Sequence, residues 1–112
     1  MEQESTMLVK KIARMIEQKK GEDIVVFDLR GLSPITDYFI ISTGLSDVHI
    51  RTIAEHILKS ESAQHIEGRE AAAWVLLDFI DVIVHLFSKD ARDFYGLERL
   101  WGDAPTVEYG SD

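Results

Sequence analysis

The run Trp74-Val75-Leu76-Leu77-Asp78-Phe79-Ile80-Asp81-Val82-Ile83-Val84-His85-Leu86-Phe87 constrains this chain more than any other. It reads as two apolar strands joined by a tight acidic turn. Apolar residues occupy both alternating sets of positions in each strand, so both faces need cover and the hairpin belongs inside a sheet. A tryptophan opens the first strand and a histidine interrupts the second.

The rest of the chain supplies what such a hairpin needs. Residues 5–20 carry Leu8, Ile12, Met15 and Ile16 at helical spacing, with Ser5 or Thr6 as caps and Gly21 as a stop. Lys10, Lys11, Arg14, Lys19 and Lys20 read as its solvated face and last turn. Residues 23–29 and 38–43 are β-rich, separated by a loop broken by Gly31 and Pro34. Ser46 is placed to cap a helix with Ile50, Ile53, Ala54, Ile57 and Leu58 on one face. Residues 64–67 suit a short edge strand, and residues 70–73 are helix-prone but too short to stand alone. Residues 89–101 read as a helix or two helical turns, weakened at Gly96. The order α-β-β-α-(β)-β-β-α predicts an α/β fold: one mixed β-sheet flanked by α-helices. One domain is expected over 5–101, with 102–112 a polar, flexible tail.

Composition narrows the function. The 112 residues include no cysteine, which excludes disulfides and thiolate catalysis and accords with a reducing, cytoplasmic setting. No run is long enough for a membrane span, and no signal peptide is expected from the acidic start. The net charge of −8 opposes binding through nucleic-acid phosphates, and it fits either a basic protein partner or a balance that only aids solubility.

Catalytic and metal readings are weak. Thr43-Gly44-Leu45-Ser46 links a strand to a helix start, where free N–H groups can hold phosphate. With Asp78 and Asp81 it loosely resembles nucleotidyltransferases, in which a Gly-Ser turn grips the nucleotide and carboxylates hold Mg²⁺. Those enzymes place their acids soon after the Gly-Ser helix. Here many residues intervene, and aspartates are common at turns for conformational reasons. His49 and His56 lie about 10 Å apart on one helix, too far to share an ion. His65 and His85 lack a clear third ligand. His85 reads better as a structural histidine, and no cofactor is expected. Trp74 and Trp101 suit a core, though tryptophan is also the commonest interface anchor.

Four pieces in order resemble the ribosomal silencing factor family (RsfS, also called Iojap-related or YbeB-like). They are Thr36-Asp37-Tyr38-Phe39-Ile40-Ile41-Ser42-Thr43-Gly44 with Ser46, then Glu67-Gly68, then the Trp74–Phe87 hairpin, then Arg92 with Tyr95, Leu97, Glu98, Leu100 and Trp101. The resemblance spans residues 8–101. It implies a nucleotidyltransferase-like fold without the enzyme's active site. It implies a translational repressor that binds the large ribosomal subunit through large-subunit ribosomal protein fourteen and blocks joining of the small subunit. At the matching positions it implies partner binding by Trp74, Asp78, Asp81, His85, Tyr95, Glu98, Leu100 and Trp101. No membrane and no sequence-specific nucleic acid are implied, and homodimerisation stays open. The alternatives are a nucleotide-binding enzyme of nucleotidyltransferase type and a large-subunit assembly factor. Two features depart from the family. Ile80 stands where glycine is usual in the hairpin turn, and a β-branched residue suits φ > 0 poorly. The stretch from Ile57 to Glu67 is also short.

Overall fold

The computed structural model describes residues 2–109. The helical period of the first segment becomes α1 (Glu2–Gln18), with Val9, Ile12, Ala13 and Ile16 fully buried along one stripe. β1 (Glu22–Asp28) and β2 (Tyr38–Thr43) follow. Then comes α2 (Asp47–Ser60), whose N-cap Ser46 accepts a hydrogen bond from the His49 N–H at 3.0 Å. The short edge strand exists as β3 (His65–Glu67), despite the contracted segment before it. The hairpin forms β4 (Trp74–Asp78) and β5 (Val82–Phe87). The C-terminal helical segment is two pieces, α3 (Lys89–Tyr95) and α4 (Leu97–Leu100). They are broken where Gly96 takes the left-handed conformation at φ 61°.

The strands form one sheet in the order β1-β2-β5-β4-β3. β2 and β5 are parallel and every other pair is antiparallel, so the sheet is mixed as expected. The hairpin's double-sided apolarity has its explanation here. β5 is the middle strand, and all its residues but Ile83 are buried.

α1 and α2 cover one face. Their Ile12, Ile16, Ile50, Ile53 and Ile57 pack against Val26, Tyr38, Ile40, Val75, Leu77, Val82, Val84 and Leu86. The other face is smaller and aromatic. Phe27, Leu29, Ile41, Phe87 and Ala104 are buried there, with Phe39, Trp74, Leu97 and Trp101 partly covered.

The expected free tail is corrected for residues 102–107: Gly102 and Ala104 bond back to the end of α4, and residues 105–107 lie along β1. Asp28 N–H donates to the Pro105 carbonyl at 2.8 Å and Val107 N–H to the Val26 carbonyl at 2.9 Å. Thr106 bridges to Phe27, and Ala104 is buried. The physical reason is an edge strand whose backbone groups need partners. Residues 110–112 lie outside the described part.

Candidate protein-docking face

Strand alternation assembles the aromatic face. Register pairs Trp74 with Phe87, Leu76 with His85, Ile41 with His85 and Phe39 with Ile83. Since directly paired residues share a face, these side chains form one continuous surface. Trp74 meets three rings, those of Tyr95 at 4.5 Å, Phe87 at 5.0 Å and His85 at 5.8 Å between centroids. Phe39 carries the surface onward, edge-on to His85 at 4.5 Å and to Trp101 at 5.9 Å.

His85 sits beneath this layer, 4% exposed. The Trp74 indole N–H donates to its Nδ1 at 3.0 Å. An indole nitrogen only donates, so Nδ1 must accept and the neutral imidazole carries its proton on Nε2. Burial pushes the His85 pKa down to about 4, which keeps the ring neutral and able to accept that bond near neutral pH. Nε2 has no hydrogen-bond partner among the described residues. His85 is therefore a support that holds the Trp74 ring in place, and is not itself part of the outer surface.

A second support stands behind α3 and α4. Arg92, with a side chain only 10% exposed, donates to both Glu98 carboxylate oxygens at 2.8 and 3.0 Å and to Thr43 Oγ1 at 2.8 Å. This fork ties both short helices to the end of β2. The guanidinium holds the Glu98 carboxyl below the usual range, chiefly through the hydrogen bonds. Neither helix is long enough to hold its position unaided. Held this way, they leave Phe94 78% and Leu100 72% exposed, with Tyr95 exposed beside Trp74.

The structure thus brings together Trp74, Tyr95, His85 and, through Phe39, Trp101. Leu100 stands exposed on α4. Glu98 is held by Arg92, with its side chain still 41% exposed. Asp78 and Asp81 lie at the far end of the hairpin, where Asp78 Oδ1 accepts the Ile80 N–H at 2.8 Å. Sequence reasoning did not single out Phe39, Leu76, Ile83, Phe94 or Ile80 as site residues. A signal for Phe39 was available, because it alternates with Ile41 on a strand whose first four residues are apolar or aromatic.

The nucleotide reading does not assemble. Three N–H groups at the start of α2 are taken by neighbouring side chains: Leu45 by His49 Nδ1 at 2.8 Å, Val48 by Asp47 at 2.9 Å and His49 by Ser46. A cleft of about 870 Å³ does open beside Thr43 and Gly44. Lys89 and Arg92 line it, but so do Glu22, Asp23, Asp90, Asp93 and Glu98, a poor lining for a polyphosphate. Gly44 N–H bonds the Phe87 carbonyl at the end of β5, whereas Asp81 precedes that strand and Asp78 pairs with Ile83. Strand rise separates those carboxylates from the turn by roughly 13–20 Å. Among the described residues, no group of three or more His, Asp or Glu is arranged to hold a metal. His49 Nε2 bonds the Lys19 carbonyl, His56 bonds Gln18 and His65 pairs with Glu67, so these histidines have structural partners.

Comparison with known proteins follows the same lines. Residues 2–111 match the family described as ribosomal silencing factor during starvation. A ribosomal silencing factor from Halalkalibacterium halodurans is 46% identical over 98 residues, covering 83% of this chain and 84% of that protein. The mouse protein named mitochondrial assembly of ribosomal large subunit protein 1 is 30% identical over 98 residues, 80% of this chain and 43% of its own length. A crystal structure of a Chromobacterium violaceum protein superposes with a TM-score of 0.82 at 30% identity, covering 95% of this chain and 92% of that one.

Proposed function

Because the chain belongs to the ribosomal silencing factor family, we propose that it represses translation by docking on the large ribosomal subunit, against large-subunit ribosomal protein fourteen, and keeping the small subunit from joining. The observation that carries this reading is the aromatic face. Trp74, Tyr95, Leu100 and Trp101 offer a partner apolar surface that the domain's own helices leave half covered. Tryptophan and tyrosine held rigid at the centre of such a surface are what strong protein contacts are made from. His85 and Glu98 contribute by holding those rings and helices in place. Asp78 and Asp81 add negative charge at the rim, on a chain of net charge −8 suited to a basic partner.

Occlusion needs only volume. The domain measures 34 × 29 × 27 Å, enough to fill space that a joining subunit must enter. No bond is made or broken, and no nucleotide is needed. The setting is the cytoplasm with its ribosomes, and no helix among the described residues is long and apolar enough to cross a membrane.

The experiment is sedimentation of purified subunits with added protein. The expected outcome is co-migration with the large subunit and a fall in joined ribosomes that tracks its occupancy, without nucleotide. The effect is weaker when subunits are joined beforehand, because the site is then covered. The name of the mouse relative supports a second reading, in assembly of the large subunit. Stoichiometric binding with joining at its normal rate and extent selects that reading over repression.

A further inference from the structure

The hairpin turn holds its central residue in a conformation that suits it badly. Phe79 N–H donates to the Val82 carbonyl at 2.9 Å, and Asp81 N–H donates back to the Phe79 carbonyl at 2.9 Å. That second bond spans a single residue, Ile80, whose φ is +75°. An i to i+2 bond around a positive φ is the rare, strained form of γ-turn. A β-branched side chain is the poorest kind to place there, because its Cβ substituents crowd the flanking peptide groups. The turn is over-determined all the same. The Asp78 carboxylate accepts the Ile80 N–H at 2.8 Å, and the Asp81 carbonyl accepts from both Asp37 N–H at 3.0 Å and Tyr38 N–H at 3.1 Å.

Burial within the domain does not repay this strain, since Ile80 is 55% exposed. Its neighbours have a consistent chemistry. Asp78 and Asp81 flank it, and Asp37 lies alongside through the backbone bond to Asp81. None of the three forms a salt bridge with Lys, Arg or His among the described residues. Ile35, also exposed, stands at the same end of the sheet. The paired residues Asp78 and Ile83 join this corner to the aromatic face.

The geometry points to Ile80 as an apolar knob, ringed by carboxylates, that enters an apolar hollow rimmed by lysine or arginine on the basic large-subunit protein against which the sheet face docks. This rests on the docking reading above and extends the contact surface beyond the Trp74 end to the opposite end of the hairpin. The partner chemistry follows from complementarity: an exposed isoleucine seeks an apolar socket, and three carboxylates that form no salt bridge among the described residues, Asp78 bonded only to the Ile80 N–H and Asp81 to the Ser5 hydroxyl, seek cations around it. Glycine, usual at this turn in the family that the chain resembles, takes this backbone conformation at low cost, so the isoleucine is a contact added by this chain.

The test compares wild type with Ile80→Gly and Ile80→Asn, measuring thermal unfolding and affinity for purified large subunits. Both replacements accept a positive φ. The expected result is opposite movement of the two readings. Each variant unfolds at the same or a higher temperature than wild type, yet binds the large subunit about tenfold more weakly. Unaltered affinity in both variants, with wild type binding, overturns the knob and leaves the docking reading standing. Unfolding of both variants at clearly lower temperature also overturns it, since the isoleucine then serves the domain's own fold. Failure of wild type to bind the large subunit removes the docking reading and this inference together.

Discussion

The face of the sheet under α1 and α2 and the face under α3 and α4 come from the same five strands and are closed in different ways. The first is aliphatic and sealed, with Ile12, Ile16, Ile53, Leu77 and Val84 fully buried. The second is built of rings that lean on one another, with Trp74, Phe39 and Trp101 only partly covered. Two long amphipathic helices can seal a sheet face. Two helices of seven and four residues cannot, and they need the Arg92 fork to stay in place. The difference teaches where each face's free energy goes. On the sealed face, packing stabilises the fold. On the open face, part of the apolar surface stays in water and is available to a partner.

The largest expected effect breaks the sealed face. Leu77→Ala should cost about 2–5 kcal/mol of stability, the range for emptying a fully buried leucine site. Leu76→Ala, one position along on the open face and half-buried, should cost less than half as much. Equilibrium urea unfolding of both variants checks this, and equal losses would mean the two faces are equally sealed.

Acid should act first on the open face. His85 is neutral in the fold, with its pKa lowered by burial to about 4 against about 6.5 unfolded, so the unfolded chain binds the extra proton. Stability should therefore fall as pH drops through the window from about 6.5 to 4, by at most about 3 kcal/mol, and this loss should level off below it. Asp28 beside Arg30 and Glu98 beside Arg92 are held below the usual carboxylate range, so their stabilisation is lost only at lower pH. His85→Gln should flatten the upper window and leave the lower one. A slope unchanged by that substitution would assign the upper window to some other group.

Trp74→Ala separates the faces by function. It should stay folded at ambient temperature and weaken large-subunit binding by about 1–2 kcal/mol, as for a truncated aromatic anchor. Circular dichroism alongside a binding titration decides this. Unfolding would place Trp74 with the sealed core.

The smallest effect concerns charge at the rim. Association with the large subunit should slow a few-fold from low to physiological salt, and Asp81→Asn should reduce that dependence. Stopped-flow rates that ignore salt would remove electrostatic steering from the account.

Much of the fold was legible because its signals are local. The 3.6-residue spacing of Ile12 and Ile16, the Ser46 cap, the doubly apolar hairpin and the break at Gly96 each depend on a few adjacent residues. The site was legible only in part. Trp74 and Tyr95 stood out as aromatic, and the structure joins them through stacking at 4.5 Å. His85 read as a structural histidine, and the resemblance implied partner binding for it and for Glu98; their bonds to Trp74 and Arg92 could not be read because these partners meet them only in the folded chain. Phe94 went unnoticed as a surface residue, and Ile80 stood out only for its backbone, because exposure is not written in residue type.

The amino-acid sequence determined the elements, their order, a mixed sheet and the acidic character of the molecule, since periodicity, caps, turns and charge are properties of neighbouring residues or of simple sums. Tertiary structure alone decided which face stays half open, that residues 105–107 lie along β1, and that the Leu45, Val48 and His49 N–H groups at the start of α2 are already occupied. It also decided that Ile80 takes a glycine-like conformation, because Asp78, the Phe79 carbonyl and the backbone of Asp37 and Tyr38 together hold the turn against the preference of its own side chain.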